Sequence, residues 1–304
     1  MTPRVSTTTI KANGLDFVCD VAGDGPDVAL CLHGFPESRF SWRFQLPFLA
    51  AQGWRAVAPD LRGYGQSSRP AGKAAYHIDH LVADVVGLFD ALQPRRKLLV
   101  AHDWGAAIAW VVAMRRAVDL DGLIIMNVPH PTVFGDLIKH YSPQRWKSWY
   151  VAFFQIPWLP EFLLRQNRAQ GIANAFINMA IDKGAFPPHV LEEYRRNALI
   201  PGALTAMINY YRANLKLLDE SSPSITVPTL MLWGEEDKAL DIRLTEGYGP
   251  HVQDFTLVRF PQVSHWVQQE APVPVNSAML DWLTVKGLAG QGADVSHPSD
   301  SGPA

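Results

Sequence analysis

A chain of 304 residues with 48% hydrophobic and 18% charged residues has the apolar material for a large folded core. Its formal net charge of −2, without a long Lys/Arg run, leaves no electrostatic footprint for a nucleic-acid or anionic-membrane partner, and with no apolar run of about 18 residues no membrane insertion is expected. Only two cysteines, Cys19 and Cys31, occur, each in an apolar strand-like stretch, and Met1 to Thr8 lacks the apolar centre of a signal peptide, so a disulfide-free cytoplasmic protein is expected.

The first third alternates short apolar runs with helical periods. Strands are expected at Val28–Leu32, Arg55–Ala58 and Lys97–Ala101, with helices at Phe40–Ala51 and Ile78–Leu92. This is the texture of βαβ units and a parallel sheet. Leu98-Leu99-Val100-Ala101 and Leu123-Ile124-Ile125-Met126 are apolar throughout, as strands covered on both faces should be. From about His130 to Ser222 the chain turns helical, aromatic and proline-broken. Strands resume at Thr229–Trp233 and Phe255–Phe260, and a last helix follows at about Val275–Leu283. The expected organisation is one α/β core in two parts, residues 1–130 and 223–286, with a helical cap inserted at 131–222 and a Gly/Ser/Pro/Asp-rich disordered tail at 287–304.

Leu98 to Trp110 reads as a buried strand, a sharp turn and a helix opening on small residues, with Asp103 at the turn. By itself an aspartate there is most often a helix N-cap. The same context is that of a nucleophile elbow with an acid in place of serine, where Gly105 and Ala106 let the helix come close. Two further motifs follow in the chain order that such a site requires. Pro228 to Asp237 is a strand ending in Gly234 and three carboxylates, of which Asp237 has the spacing of a triad acid while Glu235 and Glu236 face solvent. Phe260 to Trp266 places His265 in the loop after the last strand. Ahead of them all, His33-Gly34-Phe35-Pro36 follows a strand directly. The Phe35 backbone N–H, with that of Trp104, is placed to form an oxyanion hole, while His33, Gly34 and Pro36 shape the loop. His102 is expected to be structural.

A carboxylate nucleophile decides the reaction class. Aspartate is already an anion at neutral pH, and on an sp³ carbon it gives a stable ester, whereas on an acyl carbon it would give an anhydride. The substrate is then an alkyl halide or an epoxide, and a histidine held by Asp237 activates the water that cleaves the ester. No cofactor is required, and no Cys/His cluster that would bind a metal is present. A halide wants N–H donors, whereas an epoxide oxygen leaves as an alkoxide and wants an acidic O–H. Trp149-Tyr150-Val151-Ala152-Phe153-Phe154-Gln155 and Asn209-Tyr210-Tyr211-Arg212 put tyrosines in helix-like sequence within the cap, which favours the epoxide.

Taken together, His33 to Ser38, Asp60-Leu61-Arg62-Gly63-Tyr64-Gly65-Gln66-Ser67, His102 to Gly105, Gly234 to Asp237 and Ser264 to Trp266 resemble the pattern of the epoxide hydrolases of the α/β-hydrolase superfamily, over about Thr7 to Leu283. The resemblance implies a mostly parallel sheet flanked by helices, with Asp103 as nucleophile, Asp237 as acid, His265 as base, and Tyr150 and Tyr211 as ring-opening donors. It also implies a cis peptide at Phe35-Pro36. Two positions depart from the pattern: Ala101 stands where a glycine is usual before the elbow, and Tyr210 precedes Tyr211. The partners implied are a small apolar epoxide and water, with aromatic pocket walls from Phe35, Trp104, Trp146, Trp149, Phe153, Phe154 and Trp158. A haloalkane dehalogenase with the same nucleophile, or a non-catalytic binding protein on the same fold, are the alternatives. A fluoroacetate-type enzyme would need arginines near the elbow, where Trp104 and Ala107 stand.

Overall fold

The computed structural model describes residues 3–217 and 223–289. The chain opens with a hairpin, β1 (Val5–Ala12) and β2 (Leu15–Ala22), closed by Asn13-Gly14, both at positive φ. That dipeptide favours the two-residue turn whose twist matches its strands. β1 lacks apolar alternation because it is an edge strand exposed along most of its length, which is why composition alone did not mark it.

Six further strands complete the sheet: β3 (Val28–Leu32), β4 (Arg55–Pro59), β5 (Lys97–His102), β6 (Gly122–Met126), β7 (Thr229–Gly234) and β8 (Phe255–Phe260). Their order is β1-β2-β4-β3-β5-β6-β7-β8. β1, β2 and β4 pair antiparallel, and all remaining pairs are parallel. The chain runs from β3 outward to β4 and then back across to β5. The crevice at this reversal, beyond the strands' carboxyl ends, is where such sheets bind ligands.

Three helices follow the early strands: α1 (Gln45–Ala51), α2 (Ile78–Leu92) and α3 (Trp104–Met114). The single helix expected over Phe40–Ala51 is instead a short 3₁₀ turn at Arg39–Trp42, capped by Ser38, followed by α1. Pro47 is the reason. It cannot donate to a carbonyl four residues back, so it is tolerated only in the first turn of a helix.

Between β6 and β7 lie α4 (Pro131–His140), α5 (Ser142–Lys147), α6 (Trp149–Phe153), α7 (Leu159–Met179, kinked at 166–169), α8 (Pro188–Leu199) and α9 (Ala203–Ala213). Four of the six, α4, α5, α7 and α8, carry proline in their first turn, so the prolines that interrupt this stretch are helix starts. The expected end of the cap at 222 and most of the expected tail lie outside the described residues. The chain closes with α10 (Val267–Glu270) and α11 (Pro272–Val285).

The inner parallel strands β3, β5, β6 and β7 are apolar on both faces and feed two cores by strict alternation. Leu30, Leu99, Leu123 and Met231 join α2 and α3 on one side, while Cys31, Val100, Ile124 and Leu232 join α1 and α11 on the other. Truncating any such leucine to alanine costs about 2–5 kcal/mol, which holds the strand ends rigidly in place. Cys19 and Cys31 are buried free thiols.

Candidate active site

β5 delivers Asp103 to the rim of the sheet, and α3 starts one residue later. Asp103 adopts φ 48°, ψ −124°, a conformation that only a well-determined turn sustains. Two glycines make the turn possible. A Cβ on Gly105 would overlap the Leu32 carbonyl, and one on Gly34 would overlap the Asp103 side chain. The loop after β3 therefore lies directly on the aspartate, and the Phe35 N–H donates to Asp103 Oδ1 at 2.6 Å. The Phe35–Pro36 bond is cis. Trp104 is the first residue of α3, so its N–H is among the amides that the helix leaves without an internal acceptor.

The other two members of the expected triad meet Asp103 here. His265 Nε2 lies 3.5 Å from Asp103 Oδ2, and its Nδ1 donates to Asp237 Oδ2 at 2.6 Å. Asp237 also accepts the N–H groups of Ala239 (2.8 Å) and Leu240 (2.9 Å) and the side-chain amide of Asn127 (2.9 Å). Glu235 and Glu236 are exposed and take no part.

Burial alone would discharge all three groups, but their mutual attraction prevails. His265, supported by the Phe35 amide, holds the Asp103 carboxyl below its ordinary range, and His265 with Asn127 does the same for Asp237. Against its own desolvation, the charge of Asp237 and the contact with Asp103 push His265 up to about 10. The imidazole and the two carboxylates on either side of it thus favour one another's charged forms.

Two buried polar neighbours of these residues were not assigned from the sequence. Asn127 directly follows β6 at positive φ. Its amide brackets both backbone groups of Gly234 and reaches Asp237, tying two strand ends together. Glu37, fully buried, accepts from the Gly34 N–H (3.0 Å), His102 Nδ1 (2.7 Å), Gln268 (2.9 Å) and Gln269 (2.7 Å). His102 Nε2 in turn reaches the His265 carbonyl at 2.9 Å. Burial opposes the charge on Glu37, yet His102 and the Gly34 amide outweigh it and keep the carboxyl below its usual range. His33 spans the same loops, donating to Gly34 O and accepting from the Leu61 N–H at 3.0 Å. An acid inside His33 to Ser38 that is buried rather than solvated is a signal only the fold supplies.

Over Asp103 lies an apolar cavity of about 150 Å³, lined by Trp104, Val128, Phe134, Tyr150, Tyr211 and Leu240 among others. Tyr150 comes from α6 and Tyr211 from α9, their rings edge to face at 5.9 Å. Burial, and then the charge of Asp103, pushes both phenols up, so they are neutral O–H donors. The adjacent pair Tyr210-Tyr211 divides cleanly: the Tyr210 hydroxyl donates to Arg62 O at 2.8 Å in the core, and Tyr211 enters the cavity wall. Phe154 and Phe35 back that wall, packing edge-on against Tyr211 at 4.9 and 5.5 Å.

Three aromatic residues expected in the pocket are elsewhere. Trp146, Trp149 and Trp158 are 78%, 62% and 73% exposed. Successive helical residues diverge by about 100°, so turning Tyr150 inward turns Trp149 out. Phe153 is half-buried beside Phe154.

The chain matches the α/β-hydrolase fold family over residues 28–272. It is 38% identical over 277 residues to an α/β-hydrolase superfamily protein of Bacillus subtilis, covering 90% of this chain and 96% of that one. It is equally 38% identical over 283 residues to epoxide hydrolase 4 of Mus musculus, covering 91% and 78%. Among solved structures, an epoxide hydrolase of Bacillus megaterium in complex with an inhibitor is similar at a TM-score of 0.84 and 28% identity, over 91% of this chain and all of that one.

Proposed function

Because the chain belongs to the epoxide hydrolases of the α/β-hydrolase superfamily, we propose that it converts a small apolar epoxide and water to a vicinal diol through an alkyl ester on Asp103. The observation that carries this reading is the opposition, across one apolar cavity, of a buried carboxylate and two phenols held neutral.

In the first step an Asp103 oxygen attacks a ring carbon, the C–O bond breaks, and the departing oxygen takes the proton of Tyr150 or Tyr211. The helices α4–α9 act as the lid that supplies these donors and excludes water. Esterification removes the negative charge of Asp103. His265 then loses one of the two carboxylates that kept it protonated, its proton passes to the tyrosinate, and neutral imidazole becomes available as a base. The base is thus absent until there is an ester to hydrolyse.

In the second step His265 takes a proton from water, and the oxygen adds to the Asp103 carbonyl carbon. The Phe35 and Trp104 amides hold the resulting oxyanion, each such donor being worth about 3 kcal/mol. Collapse passes the proton from His265 to the departing diol oxygen and leaves Asp103 as a carboxylic acid, whose proton then moves to the neutral imidazole and restores the starting carboxylate and imidazolium. The chemistry calls for no cofactor.

A single turnover of styrene oxide in ¹⁸O-water tests the scheme. Label is expected in the peptide containing Asp103 and not in the diol. Label arriving directly in the diol removes the covalent route, and bromide release from 1-bromobutane without any diol from styrene oxide reassigns the substrate.

A further inference from the structure

Half of the large apolar side chains that stand exposed among the described residues fall in one stretch, 146–163: Trp146, Trp149, Ile156, Trp158, Phe162 and Leu163. Isolated exposed apolar groups are ordinary, whereas crowding of this kind marks a surface that something covers. The spacing gathers them into two groups adjacent in the chain. Only Ser148 separates α5 from α6, and its N–H still bonds back to Gln144 O, so Trp146, Trp149 and half-buried Phe153 recur at i, i+3 and i+7 of a nearly continuous helix. The Phe162 N–H bonds to Trp158 O, which sets those two rings one turn apart.

The charge of the same stretch runs against that of the whole protein. Residues 137–168 contain Lys139, Arg145, Lys147, Arg165 and Arg168 but a single acid, Glu161, which Arg212 already engages at 2.5 Å. Lys139, Lys147 and Arg168 also meet Asp136, Asp241 and Glu192, while Arg145 and Arg165 are exposed cations that flank the aromatic stretch. A whole-chain charge of −2 hides this asymmetry.

We infer that this face docks on an anionic phospholipid surface, lying in the interface without crossing it. Indole rings are suited to headgroup depth, and cations beside them meet lipid phosphates. No helix among the described residues is long and apolar enough to span a bilayer. A second copy of the chain fits less well, because a two-fold contact pairs this patch with itself and so brings two faces of excess positive charge together. Docking here places Trp149 in the interface while its neighbour Tyr150 lines the cavity, so an apolar substrate dissolved in lipid meets the enzyme at its lid.

Sedimentation of the full chain with vesicles tests the assignment and does not depend on the reaction. Binding is expected to vesicles of equal phosphatidylglycerol and phosphatidylcholine and to weaken strongly on pure phosphatidylcholine. Arg145→Gln with Arg165→Gln should lose about fivefold in affinity per cation removed. Trp146→Ser with Trp158→Ser should abolish sedimentation while turnover of styrene oxide in buffer stays unchanged, since both side chains stand outside the site. Failure of the native chain to sediment at low salt overturns the inference. So does undiminished binding of the tryptophan variant, and so does self-association that this variant abolishes in the absence of vesicle binding.

Discussion

The two walls of the cavity are held by different forces. On the sheet side every charge is pinned by polar contacts: Asp237 accepts from four donors, and Glu37 accepts from four more at the opposite end of the same loops. On the helical side Tyr150, Phe154 and Tyr211 are held by one another's ring edges, at 4.9 to 6.0 Å, and by the edges of Phe35 and Trp104. Ions in a dry site keep their charge only with fixed partners, whereas neutral phenols need no more than a shaped apolar seat. The sheet side is therefore intolerant of change. The helical side can be reshaped for other substrates without disturbing the charges beneath it.

The largest effect should come from the sheet side. His265→Gln is expected to lower turnover by roughly 10⁴-fold, the upper end for a positioned acid–base group. Alkylation does not need the base, so the variant should accumulate an ester that intact-protein mass spectrometry reads as a gain of one epoxide mass. Loss of turnover without that adduct would place His265 in the first step and dissolve the division of labour between the walls.

Next come the phenols. Tyr150→Phe and Tyr211→Phe together are expected to slow alkylation by about 10²- to 10⁴-fold in a single-turnover experiment, with the thermal midpoint nearly unchanged because the rings remain. Tyr210→Phe provides the contrast. Its hydroxyl donates to a buried carbonyl, so this variant should lose about 1 kcal/mol of stability and little activity. Reversal of these two outcomes would exchange the roles of the adjacent tyrosines.

These contrasts also explain what could be read from sequence. The strands β3, β5, β6 and β7 were legible because burial on both faces leaves nearly unbroken apolar runs, and the meeting of Asp103, Asp237 and His265 was legible because each lies in a loop just beyond a strand in a fixed chain order. β1 was not, since an exposed edge strand has no hydrophobic alternation to detect. The pocket wall was read in part. Trp149, Tyr150, Phe153 and Phe154 are equally aromatic, and which of them faces inward depends on helix phase and docking, which composition does not encode. Glu37 and Asn127 escaped for a related reason: a polar residue in a loop looks solvated until the loops around it close.

Asn127 acts on stability ahead of turnover, and the sign of its effect with pH is the sharper test. Asn127→Ala removes one of the four donors to Asp237 and both contacts to Gly234. Asp237 is held below its ordinary range, so its contacts contribute stability that is present above the unfolded carboxylate pKa and lost as pH falls through the folded value. Urea unfolding should therefore show Asn127→Ala destabilised by about 1–3 kcal/mol at neutral pH, with the deficit narrowing below about pH 4 as the carboxyl protonates. His265 works in the opposite sense: raised to about 10, it contributes stability that is complete below its unfolded pKa and fades as pH climbs through that value. With Asp237 less firmly charged, the variant's His265 should titrate lower than in the native chain, observable by NMR of labelled histidine. A deficit independent of pH would assign Asn127 to holding the β6 and β7 ends together through Gly234, with Asp237 indifferent to its loss.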